Sequence, residues 1–184
     1  PEKSKDAFLE ELIVRRELSY NFTKHNKNYD SLKSLPEWVR QTMREHIDDR
    51  REKIYTLEEM ENCLTYDELW NATQREMNIT GEVHNYVRML WGKLVIGWTN
   101  SYEEAFAVLE HLNNKYCLDG RNPNSYAGIL WCFGKHDRPW MEREVFGKMR
   151  YMTSNSTGKK FDSKKYIEWT KSLTEKSELP EIKN

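Results

Sequence analysis

Two tryptophans, Trp91 and Trp98, stand seven residues apart in a segment whose apolar residues follow helical spacing. On a helix this separation is two turns along nearly one face, or about 10 Å. Indoles so spaced can pass an electron when a redox cofactor lies at one end, and they can equally serve as ordinary core residues. Both interpretations stay open on spacing alone, in a chain with 7 Trp and 10 Tyr.

A polar stripe runs along the same predicted helix, where His84, Arg88 and Trp91 recur at helical intervals. An arginine among apolar residues is costly to bury unless a carboxylate pairs with it. Asp119, in the turn-rich stretch 117–125, is a candidate partner. The alternative is a solvated Arg88 at the edge of the apolar face.

Basic side chains gather after residue 137, although the whole chain carries a net charge of only −1. A local patch of this kind can bind phosphates, and it can also be a solvated charged surface. The residues are Arg138, Arg143, Lys148, Arg150, Lys159, Lys160, Lys164 and Lys165.

The sequence contains no motif for metal binding, nucleophilic catalysis or phosphate binding. The five histidines match no zinc spacing, so no metal is expected. There is no nucleophile elbow, no catalytic-cysteine signature and no glycine-rich phosphate loop, which leaves hydrolases and nucleoside triphosphatases without support. Three cysteines without a C-x-x-C pair indicate a reducing, intracellular location. No apolar run approaches the ~20 residues that span a bilayer, so no membrane partner is expected.

Helical spacing and capping residues predict an all-α fold, with residues 1–184 forming a single helical domain. Capping boxes are expected to begin helices at Ser34, Thr56, Thr65 and Ser101. The run Val145–Met152 is the best, though weak, candidate for a strand. The predicted helices lie near 6–20, 36–52, 57–63, 66–79, 82–98, 102–115, 124–132 and 162–174.

Several long motifs together resemble one family, in collinear order from about residue 6 to about residue 170. They resemble the C-terminal, FAD-binding part of class II cyclobutane pyrimidine dimer photolyases, a multi-helix domain of the photolyase/cryptochrome type. The family's N-terminal antenna domain is expected to be absent from this chain. The motifs are Trp70–Met77, His84–Lys93, Leu112–Gly128, Lys135–Trp140 and Val145–Met152.

The resemblance implies a carbon–carbon lyase that repairs DNA by photoreactivation. Reduced, excited FAD would donate one electron to a cyclobutane pyrimidine dimer, the ring would open, and the electron would return. The dimer would be flipped out of the duplex into a pocket over the flavin, and photolyases are a known example of base flipping. The expected partners are FAD and dimer-containing DNA, and the expected state is a monomer.

The resemblance also implies roles around the flavin. Asn113 would lie beside flavin N5 and favour the reduced states. Arg88 and Asp119 would form a buried ion pair beside the isoalloxazine, with Asp119 near N3. Trp91, Trp70 and Trp98 would be the electron-hopping set that photoreduces the flavin.

Further roles concern the DNA. Glu11 would form a hydrogen bond with the thymine dimer, and Met89 and Trp131 would line the lesion pocket, where the indole stacks on a flipped base. Arg138 and Arg150 would hold the backbone or the gap left by flipping.

Two alternatives remain at the sequence level. One is a cryptochrome-like photosensor that does not repair DNA, and the other is a catalytically incomplete fragment. The presence of Glu11, Trp131 and Arg150 favours repair over sensing, because a sensor has no need of a lesion pocket. The fragment alternative rests on the early helices of the family's domain, which grip the FAD phosphates and have no counterpart in this sequence.

Overall fold

The computed structural model describes residues 2–173, with side chains from Ser4 onward, and confirms the predicted all-α fold. Within this range the only strand-like pairing is an isolated bridge between Arg143 and Gly147. None of its helices combines the length and apolar character needed to cross a bilayer. The helices are α1 (Glu2–Leu9), α2 (Arg16–His25), α3 (Glu37–Glu45), α4 (Leu57–Glu61), α5 (Glu68–Thr80), α6 (Asn85–Gly97), α7 (Tyr102–Tyr116), α8 (Pro123–Cys132), α9 (Ser154–Gly158) and α10 (Ser163–Ser172).

Helix α6 runs through the centre of the molecule, with residues 90–96 all buried. It packs against α5, α7 and α8, while α2 lies on α8 and α10 lies on α5. The apolar residues of α6 cover most of its circumference, as expected for a helix enclosed by others. Because the core surrounds α6, its side chains contact several different helices.

Two of the four expected N-caps are wrong. At Thr56 both bonds of the capping box form, and Ser101 caps α7 through the N–H of Glu104. Ser34 instead lies in a short 3-10 turn, and Pro36 precedes α3 without a side-chain cap. Asp67, not Thr65, caps α5, because its carboxylate accepts from the N–H in the first turn.

Several predicted boundaries also differ from the structure. The first helical stretch covers residues 2–25, with a π-helical segment, Glu10–Arg15, between α1 and α2. The helix predicted at 36–52 ends at Glu45, and Val145–Met152 forms no strand. Helix α9 was not predicted, since five polar residues show no periodicity. The prediction of 162–174 ends on residue 174, which lies outside the described residues.

Two glycines provide a matched test of the packing. Gly147 has φ of 49°, and an added Cβ would lie 2.1 Å from Thr42 Oγ1, whereas a Cβ at Gly128, in α8, would meet nothing within 4 Å. We expect Gly147→Ala to reduce the free energy of unfolding by about 2 kcal/mol. Gly128→Ala should raise it by roughly 0.5–1 kcal/mol, since alanine favours helix. Thermal unfolding measures both, and equal effects would contradict the described geometry.

Candidate functional site

Arg88, Asn113 and Asp119 meet at one point of the structure. The Arg88 guanidinium donates to both Asp119 carboxylate oxygens, at 2.9 and 2.8 Å, and also to Asn113 Oδ1. Such a bidentate, charge-assisted pair fixes orientation as well as distance. The cluster joins α6 to the last turns of α7 and the α7–α8 loop, which lie 25 and 31 residues from Arg88 in sequence.

The surroundings of the cluster explain its charge state. Burial is the largest influence and opposes the charge on Arg88, but the hydrogen bond to Asp119 and the negative charge of nearby groups together outweigh it and leave the pKa of Arg88 raised. Asn113 is almost fully buried, at 2% exposure. Ser125 Oγ donates to the Asp119 backbone carbonyl at 2.6 Å, which fixes the loop beneath the carboxylate.

The expected ion pair between Arg88 and Asp119 is thus present, but the expectation that it is buried needs correction. The side chains are 26% and 43% exposed, respectively. The loop carrying Asp119 lies over the end of α7 at the surface, so one side of the pair remains open. A ligand can therefore reach the guanidinium and the carboxylate from that side, while the Asn113 amide lies buried behind them.

Three tryptophans form a continuous stack beside this cluster. The ring centroid of Trp70, on α5, lies 6.4 Å from that of Trp91, and the two rings are nearly parallel, with an interplanar angle of 12°. Trp70 also meets Trp98 edge to face, with ring centroids 5.5 Å apart. Spacing along α6 suggested a direct step between Trp91 and Trp98, whereas the structure inserts an indole from another helix between them.

Hydrogen bonds fix the orientation of two of these indoles. Trp91 Nε1 donates to Gln74 Oε1 at 2.8 Å, and Trp70 Nε1 donates to the Trp91 carbonyl at 3.0 Å. A buried indole N–H needs such a partner. At the outer end, Trp98 contacts the ring of the exposed Tyr66 at 5.6 Å. The buried stack thus reaches the surface within one further aromatic ring.

Two of the residues expected at the lesion, Glu11 and Trp131, meet at an arginine that the sequence did not single out. Arg15 pairs with Glu11 at 3.0 Å, and its guanidinium lies 5.0 Å from the centre of the Trp131 ring. Glu11 and Arg15 both belong to the π-helical segment, a type of irregularity that is frequent at functional sites. Met89 Sδ lies 3.8 Å from Cys132 Sγ, which places Met89 against the end of α8.

Arg138 and Arg150 lie near each other although eleven residues separate them. Both guanidinium groups approach the ring of Trp140, at 6.0 and 5.5 Å. Trp140 is 46% exposed and was not among the predicted site residues. A surface indole between two cations is suited to contact phosphates and bases together.

His46 anchors the segment that leads to Arg150. Its ring nitrogens contact Asp49 Oδ2 at 2.6 Å and Glu142 Oε1 at 3.0 Å, and Asp49 also accepts from the Val145 N–H at 2.7 Å. Partial burial lowers the pKa of His46, but the two carboxylates outweigh it and leave that pKa raised. The hydrogen bond from the Val145 backbone, with the one from His46, lowers the pKa of Asp49.

Comparison with the sequences of known proteins shows which proteins the chain is similar to. The chain is 49% identical over 166 residues to deoxyribodipyrimidine photo-lyase from Methanothermobacter thermautotrophicus. It is 50% identical over 169 residues to the Arabidopsis thaliana protein of that name, and 49% identical over 176 residues to that of Oryza sativa subsp. japonica. No model of a protein family matches the chain.

These alignments confirm the resemblance to photolyases. They cover 90%, 91% and 95% of this chain but only 37%, 34% and 35% of the three relatives. The chain therefore spans about a third of the length of the curated relatives it matches. The described part of the chain is helical, and the chain as a whole matches only a portion of each of these proteins.

The ion pair can be tested by removing its carboxylate. Asp119→Ala should lower the free energy of unfolding by about 1–2 kcal/mol, between the values typical of exposed and fully buried pairs, because it leaves Arg88 without its main partner. Thermal or denaturant unfolding measures the loss, and Asp48→Ala, at an exposed position, is the control. An unchanged stability in Asp119→Ala would contradict the pair.

The His46 anchor should show a distinct pH dependence. A histidine whose pKa is raised in the folded state stabilises the protein below its unfolded pKa, ~6.5, and loses this effect as the pH rises through the folded value. We expect wild type to exceed His46→Gln in stability by about 1 kcal/mol more near pH 5.5 than near pH 9. Unfolding curves at both pH values check this, and a difference independent of pH would refute it.

Proposed function

We propose that this chain is the FAD-binding catalytic portion of a class II photolyase, which repairs cyclobutane pyrimidine dimers in DNA by light-driven electron transfer. The observation that carries the proposal is the meeting of Arg88, Asn113 and Asp119 beside a stack of three tryptophans. Relatives named as deoxyribodipyrimidine photo-lyases support it at 49–50% identity. The proposed place of action is inside the cell, where the DNA is.

The residues at the cluster fit the polar edge of a flavin. An isoalloxazine carries hydrogen-bond donors and acceptors along its pyrimidine side, and the open face of the cluster offers both types of partner. Arg88 and Asp119 would hold this edge, and Asn113 would contact N5 with a neutral amide. When bound and reduced, FAD supplies the photoexcited electron that opens the cyclobutane ring.

The tryptophan stack gives the proposed route for electrons toward the cofactor. Trp91 lies three residues from Arg88 on α6 and so forms the inner end. Trp70 connects it to Trp98, with ring centroids no more than 6.4 Å apart at either step. Because these indoles are buried and packed, their separations and angles are fixed.

The lesion side of the proposal rests on two groups of residues. Glu11, Arg15 and Trp131 form one contact chain, in which the carboxylate would accept from the thymine and the indole would stack on the extruded base, beside Met89. Arg138, Trp140 and Arg150 form the second group, for the backbone or the gap, with Arg138 and Trp140 exposed and Arg150 partly exposed. This machinery favours repair over a cryptochrome-like sensor, which would need the tryptophans but no lesion pocket.

A repair assay tests the function directly. The purified chain is supplied with FAD, reduced chemically and mixed with a duplex that carries one thymine cyclobutane dimer. Blue light should restore the intact thymines, whereas a dark sample should not. Flavin that binds and photoreduces without any repair would favour the sensor, and failure to bind flavin would show that these residues do not suffice.

If Trp91, Trp70 and Trp98 form an electron relay to the flavin, photoreduction of the flavin and repair of DNA should respond differently to a change in the relay. Trp70→Phe should abolish most light-driven reduction of oxidised FAD, because it removes the middle indole from both steps. It should leave repair by chemically reduced protein nearly intact, since that reaction does not use the relay. Trp169→Phe, which changes an exposed tryptophan on α10, is the control. Equal loss of both activities in Trp70→Phe would refute the relay.

A further inference from the structure

Lys93 is a lysine that none of the roles described so far uses, and it lies fully buried on α6. Its ammonium donates to the Cys132 carbonyl at 2.8 Å and lies 3.9 Å from Asp137 Oδ2. Burial lowers the pKa of this amine. A buried ammonium destabilises the fold unless partners compensate its charge. The Cys132 carbonyl and the Asp137 carboxylate are these partners for Lys93.

Asp137 connects this cation to the indole of Trp131. One carboxylate oxygen, Oδ2, faces Lys93, and the other, Oδ1, accepts from Trp131 Nε1 at 3.2 Å. Asp137 belongs to a segment in which His136, Arg138 and Pro139 are exposed. The Asp137 side chain is nevertheless only 15% exposed, and its carboxylate lies 3.9 Å from the Lys93 ammonium.

The Trp131 ring is restrained from other sides as well. His136 meets it edge to face at 5.0 Å, and the Arg15 guanidinium lies 5.0 Å from its centre. A partly exposed indole without such restraints would populate several rotamers, and binding a base would then cost the entropy of choosing one. Among the residues that the structure describes, the contact through Asp137 is the one that ties the indole N–H to the buried core.

We propose that Lys93 and Asp137 are positioning residues, which hold the Trp131 indole in the orientation that stacks on an extruded base. This proposal rests on the proposed function of Trp131 in the lesion pocket. The buried ammonium fixes the carboxylate, and the carboxylate fixes the indole. A purely structural role, in which Lys93 only satisfies the end of α8 through the Cys132 carbonyl, requires neither Asp137 nor a link to the DNA.

The first test observes the indole without DNA or cofactor. In the ¹⁵N-labelled chain, Trp131→Phe identifies the Trp131 indole N–H resonance by its disappearance. Asp137→Asn and Lys93→Met should each shift this resonance and speed its exchange with solvent. Glu144→Gln, which removes an exposed carboxylate from the same segment, should leave it unchanged. An unshifted resonance in both Asp137→Asn and Lys93→Met overturns the proposal.

The second test measures the preference for damaged DNA, as the ratio of dissociation constants for an undamaged duplex and one with a single thymine dimer. Asp137→Asn should reduce this ratio about five- to tenfold, part of the effect of a full base stack. In a Trp131→Phe background the same change should have no further effect, because Asp137 acts through the indole N–H. An equal loss in both backgrounds, or none in either, overturns the positioning role.

The two tests separate this proposal from the function on which it rests. If the wild-type chain shows no preference for the dimer, the proposed function fails, while the indole resonance still decides whether Lys93 and Asp137 orient Trp131. If wild type prefers the dimer and Asp137→Asn retains the full preference, the positioning role fails alone. Should Lys93→Met not fold, Asp137→Asn carries both measurements.

Discussion

The charged guanidinium of Arg88, on a helix packed largely among apolar side chains, constrains the residues around it. Arg88 must find a carboxylate, and it finds Asp119 through a bidentate contact that also engages Asn113. Because the three residues come from α6, α7 and the following loop, their meeting fixes the relative placement of these elements. One face of the cluster remains open, since both side chains of the ion pair are partly exposed. Through this opening the pair can contact a ligand.

The core around α6 contains both apolar side chains and a few polar groups with specific partners. Its apolar side chains provide most of the stabilising burial, while its polar groups and indoles occupy defined directions. The Trp91 indole N–H engages Gln74, Arg88 faces the loop, and Lys93 faces the end of α8. One helix therefore contributes to the proposed flavin edge, the proposed electron route and the proposed support of the lesion pocket. Because α6 packs against α5, α7 and α8, its side chains can serve these different sites at the same time.

Loop segments carry the exposed side chains of the proposed DNA face, and interactions with the helical core restrain them. Tyr102 Oη donates to the Val145 carbonyl at 2.6 Å, and His46 and Asp49 hold the same segment by charge-assisted bonds. The backbone N–H of Trp140 donates to the Lys148 carbonyl at 2.8 Å, which holds the stretches on either side of residues 143–147 together. Arg138 and Arg150 thereby share one aromatic ring, although the sequence offered only a diffuse basic run.

Helical spacing and end signals in the sequence determined most of the helices, because both depend on residues a few positions apart. Thr56 and Ser101 show this, since their caps need only the next turn. Sequence also predicted the demand of Arg88 for a carboxylate, because the cost of a lone buried charge is general. Tertiary structure alone decided that Trp70 lies between Trp91 and Trp98, that Arg15 joins Glu11 to Trp131, and that Lys93 reaches Asp137. These contacts join separate elements, and their geometry follows from how whole helices pack, which no local pattern specifies.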